Sequence, residues 1–131
     1  MKNLLFLTVL FFSIQLSFGQ EKTIHPNQNS IYTGAVITIK PEFPGGQKEF
    51  DKYIKKNYNI PPDANNVRGK VYVTFVVEID GTLTDIKVLR DLGFETGKEA
   101  IRVLKQGPKW IPGQQKGLIV RSIISLPISV N

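Results

Sequence analysis

Few side chains in this sequence of 131 residues are suited to catalysis. It contains no cysteine, which excludes disulfides, thiolate metal sites and cysteine nucleophiles. The single histidine, His25, provides no basis for a zinc site or a His-based triad. Asp80 and Asp85 flank one predicted turn, but a turn aspartate and a strand-surface carboxylate explain them without an active site. The sequence therefore predicts that the protein is not an enzyme and has no cofactor and no metal.

Two further features could bind an anion. Gly45-Gly46 precede a predicted helix, but the phosphate-loop pattern with its Lys-Ser/Thr ending is missing, which favours conformational freedom at a helix start. Lys52, Lys55 and Lys56 are predicted to form a solvated helix face. The net charge of +6 is spread along the chain, and we expect no nucleic-acid partner.

Residues 1–19 are predicted to be a cleaved signal peptide. Lys2 precedes a mostly apolar run at 4–12, and Ser17 and Gly19 are small residues at the positions that signal peptidase requires. The apolar run is shorter than the roughly 18 residues that span a membrane. The alternative is an uncleaved anchor in the inner membrane, the only case in which we expect membrane contact. In both cases the sequence predicts export from the cytoplasm.

The exported part is predicted to be one domain, residues 35–131, after a polar and flexible lead-in at 20–34. Residues 35–40 are rich in β-branched side chains and stop at Pro41, which predicts a first strand. A helix follows over about 47–57, because apolar side chains recur there at helical spacing and four lysines fill other positions.

The clearest pattern lies at residues 70–80, where every odd position is apolar and most even positions are polar. This alternation predicts a strand with one buried face. Asp80-Gly81 predicts a hairpin turn, with a returning strand at about 82–90.

A second helix is predicted to begin at a capping box formed by Thr96 and Glu99 and to end at about 106. Trp110 follows in a turn and is predicted to be a packing anchor. The last segment alternates again over about 118–130. Pro127 within it indicates an edge strand, a strand end or a bulge.

The element order β-α-β-β-α-β predicts an α+β fold, a two-layer sandwich of an antiparallel sheet with two helices on one face. Whether the last strand lies at an edge depends on where the strand at 35–40 pairs.

The chain resembles the C-terminal domain of TonB, in the version common in energy-transducer proteins of Bacteroidetes. The matching pieces extend over about 41–128 and are PEFPGG at 41–46, IPPDA at 60–64, GKVYVTFVV at 69–77, DG at 80–81, EAIRV at 99–103, PKWIPG at 108–113 and LPI at 126–128. Each piece is weak by itself, and the ordered set is specific.

The resemblance implies a periplasmic module that binds TonB-dependent outer-membrane receptors and supports uptake of nutrients such as siderophores or glycans. In the family, the strand after the second helix recruits the receptor's TonB-box segment as an added strand. The corresponding residues are Leu118, Ile119, Val120, Arg121, Ser122, Ile123, Ile124, Ser125 and Leu126. The connector implied to lie close to the receptor plug comprises Asn57, Tyr58, Asn59, Ile60 and Pro61.

Arg121 and Lys116 are candidates for electrostatic steering of an acidic peptide. In the family, a full transducer has a long proline-rich spacer between its membrane anchor and this domain. Here roughly 20 residues separate the apolar run from the domain. Fully extended, they span at most about 65–70 Å, which is too short to cross the periplasm. The alternative function is therefore an envelope assembly module without motor coupling, which forms a homodimer or joins an envelope complex.

Overall fold

The computed structural model describes residues 29–131. The elements are β1 (Ile31–Tyr32), α1 (Gln47–Asn57), a short 3-10 helix (Pro62–Ala64), β2 (Gly69–Val77), β3 (Leu83–Arg90), α2 (Thr96–Lys105), β4 (Gly113–Gln115) and β5 (Leu118–Val130). The predicted signal peptide, His25 and most of the lead-in lie outside the described residues. None of the helices in the described range is long and apolar enough to cross a membrane.

The strands form one mixed sheet in the order β1-β5-β2-β3, and β4 pairs with the start of β5. β2 is central and pairs antiparallel with β5 and with β3. Along the first of these pairs, Gly69 lies opposite Val130 and Val77 opposite Ser122. The sheet is mixed rather than wholly antiparallel because β1 runs parallel to β5.

The prediction of a strand at residues 35–40 is wrong. Val36 lies in a turn, where its N–H donates to the carbonyl of Thr33 at 3.1 Å. Only Ile39 forms an isolated bridge, to Gln114 of β4. β-branched side chains favour a strand only where a neighbouring strand and a buried face are available, and Val36 and Ile39 are half exposed. The first strand lies earlier, at Ile31–Tyr32, inside the predicted lead-in.

The helices agree with the sequence prediction. α1 spans the predicted residues and buries Phe50 and Ile54, while its four lysines are exposed. α2 buries Ala100, Val103 and Leu104. Side chains of both helices join one core with the inward residues of β2 and β5, so both helices pack on the same face of the sheet. The α+β prediction is confirmed.

The prediction of a capping box at the start of α2 is wrong. Glu95, not Thr96, occupies the N-cap position, in the left-handed conformation with φ 67°. The Thr96 hydroxyl instead donates to the carbonyl of Gly93 at 2.6 Å and accepts from the N–H of Leu92 at 3.1 Å. The tight turn before the helix therefore takes the hydroxyl that a capping box would require, and Glu99 is free to bond elsewhere.

The predicted hairpin turn is confirmed. The N–H of Glu78 donates to the carbonyl of Thr82 at 2.8 Å, and Gly81 has φ 84°. The N–H of Trp110 donates to the Gly81 carbonyl at 2.8 Å, and a Cβ on Gly81 would lie 2.2 Å from the Trp110 carbonyl oxygen. Trp110 is buried, with its ring centroid 5.1 Å from that of Phe75, so its prediction as a packing anchor is confirmed too.

Candidate functional site: the outer border of β5

β5 has one border occupied by β2 and a second border that is largely open. β2 pairs with residues 122–130 of β5. On the opposite border, β1 pairs with Arg121 and Ser122, and β4 pairs with the three residues before them, Leu118–Val120. Residues 123–130 therefore have a border without a strand partner in the part of the chain that the structure describes. We call this border, at residues 123–130, the outer border.

The direction of the backbone groups along β5 follows from one side-chain contact. Thr74 of β2 donates its hydroxyl to the carbonyl of Ile124 at 3.0 Å, so this carbonyl faces β2. Backbone groups of successive residues in an antiparallel strand point alternately to the two sides. Ser125 and Ser129 consequently present both N–H and C=O to the outer border. Ile123 presents its C=O there, because the parallel pairing of β1 places the Tyr32 carbonyl next to the Ile123 N–H.

Pro127 agrees with this assignment. It lies opposite Tyr72 in the β2–β5 pairing and, as an odd-numbered residue, directs its nitrogen to the outer border. Proline has no N–H to donate, and a strand tolerates it where that nitrogen faces away from the neighbouring strand. The pairing with β2 therefore continues past Pro127 to Val130.

The opposite edge of the sheet, on β3, is less suited to strand addition. Between the pairs Thr74–Lys87 and Val76–Thr84, β3 carries one residue more than β2, and Asp85 there has φ 50°. A second extra residue, Leu89, lies near the end of β3. Such bulges twist an edge and interrupt its row of hydrogen-bonding groups.

A groove runs beside the outer border, between β5 and α1. A cavity of about 450 Å³ is lined by residues of α1, of the connector and of the end of β5, namely Phe50, Asp51, Ile54, Lys55, Tyr58, Ile60, Pro127, Ile128, Ser129 and Asn131. A second cavity of about 330 Å³ is lined among others by Trp110, Ile124 and Leu126. Phe50 of α1 lines both cavities.

The sequence-predicted strand residues divide into two groups. Residues 118–122 are already paired with β4 and β1, whereas residues 123–126 lie on the outer border. Val120 and Ser122 are buried, Leu118, Ile119 and Ser125 are exposed, and Arg121, Ile123, Ile124 and Leu126 are intermediate. The open stretch also continues beyond the predicted Leu126 to Val130.

The connector at residues 57–61 is held against α2 by its backbone. Arg102 donates through Nη2 to the carbonyl of Asn57 at 2.8 Å. The N–H of Asn59 donates to Oε1 of Glu99 at 2.8 Å. Glu99 and Arg102 also form an ion pair with each other. These contacts fix the path of the chain as it leaves α1.

Tyr58 completes this attachment, because its hydroxyl donates to the carbonyl of Thr96 at 2.8 Å. Tyr58 and Ile60 also line the larger cavity together with Pro127 and Ile128. Pro61 is partly buried and precedes the 3-10 helix. The structure thus brings one part of the predicted connector next to the outer border.

The charges around the connector shift two pKa values. The Arg102 guanidinium bonded to Glu99 holds the pKa of that carboxyl below its usual range, against the opposing effect of burial and with help from the Asn59 N–H. Burial raises the pKa of Tyr58 to about 12, and the negative charges of Glu99 and Asp91 add to the shift. At neutral pH, Glu99 is therefore charged and Tyr58 is a hydrogen-bond donor.

Arg121 is engaged within the chain. Its Nε donates to Oε2 of Glu78 at 2.6 Å and its Nη2 to Oε1 at 3.0 Å. This pairing lowers the pKa of Glu78, chiefly through the hydrogen bond to Arg121. Because the guanidinium charge is compensated by Glu78, the structure does not support the predicted steering role of Arg121. Lys116 is exposed at the β4–β5 turn.

The sequence prediction missed the part of the site that α1 contributes. Phe50 and Ile54 were visible as an apolar helical stripe, but such a stripe is expected in any core helix. Only the structure shows that this stripe also borders a groove beside β5. Ser129 was missed because the resemblance placed the docking stretch further toward the start of the strand.

The fold and the open border define a small α+β module with one strand border available to another chain. Residues 56–129 match the family described as the Gram-negative bacterial TonB protein C-terminal, and this match covers more than half of the chain. The protein belongs to this family, whose domains take part in energy transduction in the cell envelope, lie in the periplasm or at the envelope and interact with outer-membrane receptors. The chain matches no curated protein and no solved structure.

Proposed function

We propose that this protein is a periplasmic docking module, and not an enzyme, which binds TonB-dependent outer-membrane receptors. The receptor's TonB-box segment adds to the outer border of β5 as a further strand and thereby supports energy-coupled uptake of nutrients such as siderophores or glycans. The observation that carries the proposal is the border at residues 123–130, which has no strand partner among the described residues. Family membership supports the choice of partner.

The energetics of this contact suit repeated association and release. Each added backbone hydrogen bond contributes a net of roughly 0.5–1.5 kcal/mol. The flexible peptide loses conformational entropy when it becomes a strand, which offsets part of this gain. We therefore expect modest affinity.

The groove beside α1 supplies side-chain contacts in addition to the backbone. Side chains of an added strand alternate between the two sheet faces, so every second one faces the helices. The side chains on that face contact Phe50, Ile54 and Trp110, which line the two cavities. The connector contributes Tyr58 and Ile60 to the same groove and is proposed to contact the receptor as well.

The matched pair Ser125→Pro and Ser125→Ala tests the proposal. Both variants lose the side-chain hydrogen bond from Ser125 to Thr74, but only Ser125→Pro loses the N–H on the outer border. We expect Ser125→Pro to weaken binding of a TonB-box peptide by about tenfold or more, equivalent to about 1.4 kcal/mol. Ser125→Ala is expected to bind like the unmodified protein.

Titration of the full chain with TonB-box peptides from receptors of the same organism measures this difference, by calorimetry or through the fluorescence of Trp110. Equal peptide affinity of the two variants, both folded by circular dichroism, would contradict docking at this border.

The same border also allows the alternative function, an edge-to-edge homodimer. Analytical ultracentrifugation distinguishes the two. A mass that rises with concentration, together with no response to peptide, would favour the assembly role.

A further inference from the structure

β1 lies directly in line with the outer border. It pairs in parallel with Arg121 and Ser122, the two residues before the open stretch begins. After Tyr32 the chain turns, as the hydrogen bond from Val36 to Thr33 shows, and continues to Gln114 of β4. A strand added along residues 123–130 would occupy the same line as β1, because both lie one strand spacing, about 4.8 Å, from β5.

Arg121 holds the start of this segment in place. Two of its nitrogens bond to Glu78, and Nη1 donates to the backbone carbonyl of Asn29 at 3.0 Å. Thr84 donates to the same carboxylate at 2.6 Å, so Glu78 fixes the orientation of the guanidinium. The Arg121 and Glu78 side chains are only 25% and 21% exposed. The Arg121–Glu78 ion pair therefore holds the chain that enters β1 against the sheet.

A bare strand border does not by itself determine the register of an added strand. Its hydrogen-bonding groups repeat every two residues, so a shift by about two residues restores the same pattern. Among the residues of the outer border only Pro127 breaks the repeat of donors. Something at the end of the border is needed to select one register.

We propose that β1 is a register stop for the docked peptide. One end of the added strand abuts Tyr32, and the register along residues 123–130 is counted from this contact. Arg121 acts as a positioning residue, since it keeps β1 at the end of the border. This inference rests on the proposed function, because it presupposes an added strand on β5.

Disulfide trapping tests the inference. Because the sequence contains no cysteine, an introduced cysteine is the only thiol of the protein. The full chain with Ser125→Cys is incubated with TonB-box peptides that carry one cysteine at successive positions, in a redox buffer of reduced and oxidised glutathione. Oxidised glutathione accepts the two electrons that are lost when the disulfide forms. A disulfide requires Cα atoms within about 7 Å, so the peptide position that reacts reports the register. With β1 intact, we expect one peptide position to give most of the product.

The critical comparison uses two further variants of the Ser125→Cys protein. One carries Ile31→Pro and Tyr32→Pro, which remove both N–H groups from β1. The control carries Ile31→Ala and Tyr32→Ala, which keep them. Ile31 is exposed, so little core is lost. We expect the proline variant to react also at positions shifted by about two residues. The alanine control should keep the single position.

Two results would count against the account, at different levels. A proline variant that reacts at the same single position overturns the register stop and leaves docking at β5 intact. Absence of reaction above the background of a free thiol, for every peptide position in the protein with intact β1, contradicts docking at β5 itself.

Discussion

Ile124 and Ser125 show how neighbouring residues of one strand can have different tasks. The carbonyl of Ile124 faces β2 and accepts from Thr74, whereas the backbone of Ser125 faces the outer border. The difference is invisible in the sequence, because both positions belong to the same alternating pattern. Alternation predicts which side chains point inward, but it carries no information on which border each backbone group faces.

Glu99 gives a residue-scale prediction about pH. Its pKa is lowered in the folded protein, mainly by Arg102, so its contribution to stability is present above the unfolded pKa and is lost as the pH falls through the lowered value. We expect the free energy of unfolding, measured by urea denaturation, to fall as the pH decreases from about 5 to about 3. Glu99→Gln should be less stable than the unmodified protein at neutral pH. Its free energy of unfolding should also decrease less between these two pH values.

The pKa of Glu78 is also lowered in the folded protein, so Glu78 contributes to the loss of stability in the same acid range. The decrease of the unfolding free energy with falling pH should therefore be smaller in Glu99→Gln but not absent. Glu49→Gln is the surface control, because Glu49 is exposed and forms an ion pair with the exposed Lys52. A Glu99→Gln curve parallel to that of Glu49→Gln would contradict the assigned role of the Glu99–Arg102 pair.

At the scale of elements, α1, α2 and the β2–β3 hairpin could be predicted because each carries its own periodic pattern and turn residues. The strand at 35–40 was mispredicted for the opposite reason. Its β-branched residues record a propensity, but whether a strand forms depends on a border elsewhere in the chain. β1 has only two residues and is defined by its pairing with Arg121 and Ser122, which no local pattern reveals.

The turn at Gly81 gives an element-scale prediction. Gly81 and Gly117 both have positive φ, 84° and 79°, and alanine is strained in either position. Only at Gly81 does an added Cβ collide with another backbone atom, the carbonyl oxygen of Trp110, whereas nothing lies within 4 Å at Gly117. Gly81→Ala should therefore destabilise the protein by more than the roughly 1–2 kcal/mol expected from the strained conformation at Gly117→Ala.

Urea denaturation followed by the fluorescence of Trp110 measures both variants. Equal losses for Gly81→Ala and Gly117→Ala would show that the hairpin does not pack closely against the Trp110 segment.

At the scale of the whole molecule, the fold class and the family could be predicted because the ordered motifs lie along nearly the whole domain. The candidate site was predicted only in outline. Its strand was identified, but the occupied part, at 118–122, and the open part, at 123–130, differ only through β1 and β4. The groove arises from α1 and β5, which are far apart in sequence and meet only in the folded chain.

The most direct measurement is amide hydrogen exchange along β5, residue by residue, without and with a TonB-box peptide. In the free protein, the amides of Ser125 and Ser129 should exchange faster than those of Ile124, Leu126 and Ile128, which face β2. Bound peptide should slow the amides of Ser125 and Ser129 selectively. Peptide binding that leaves these amides unprotected, or that instead protects β3, would contradict strand addition at the outer border.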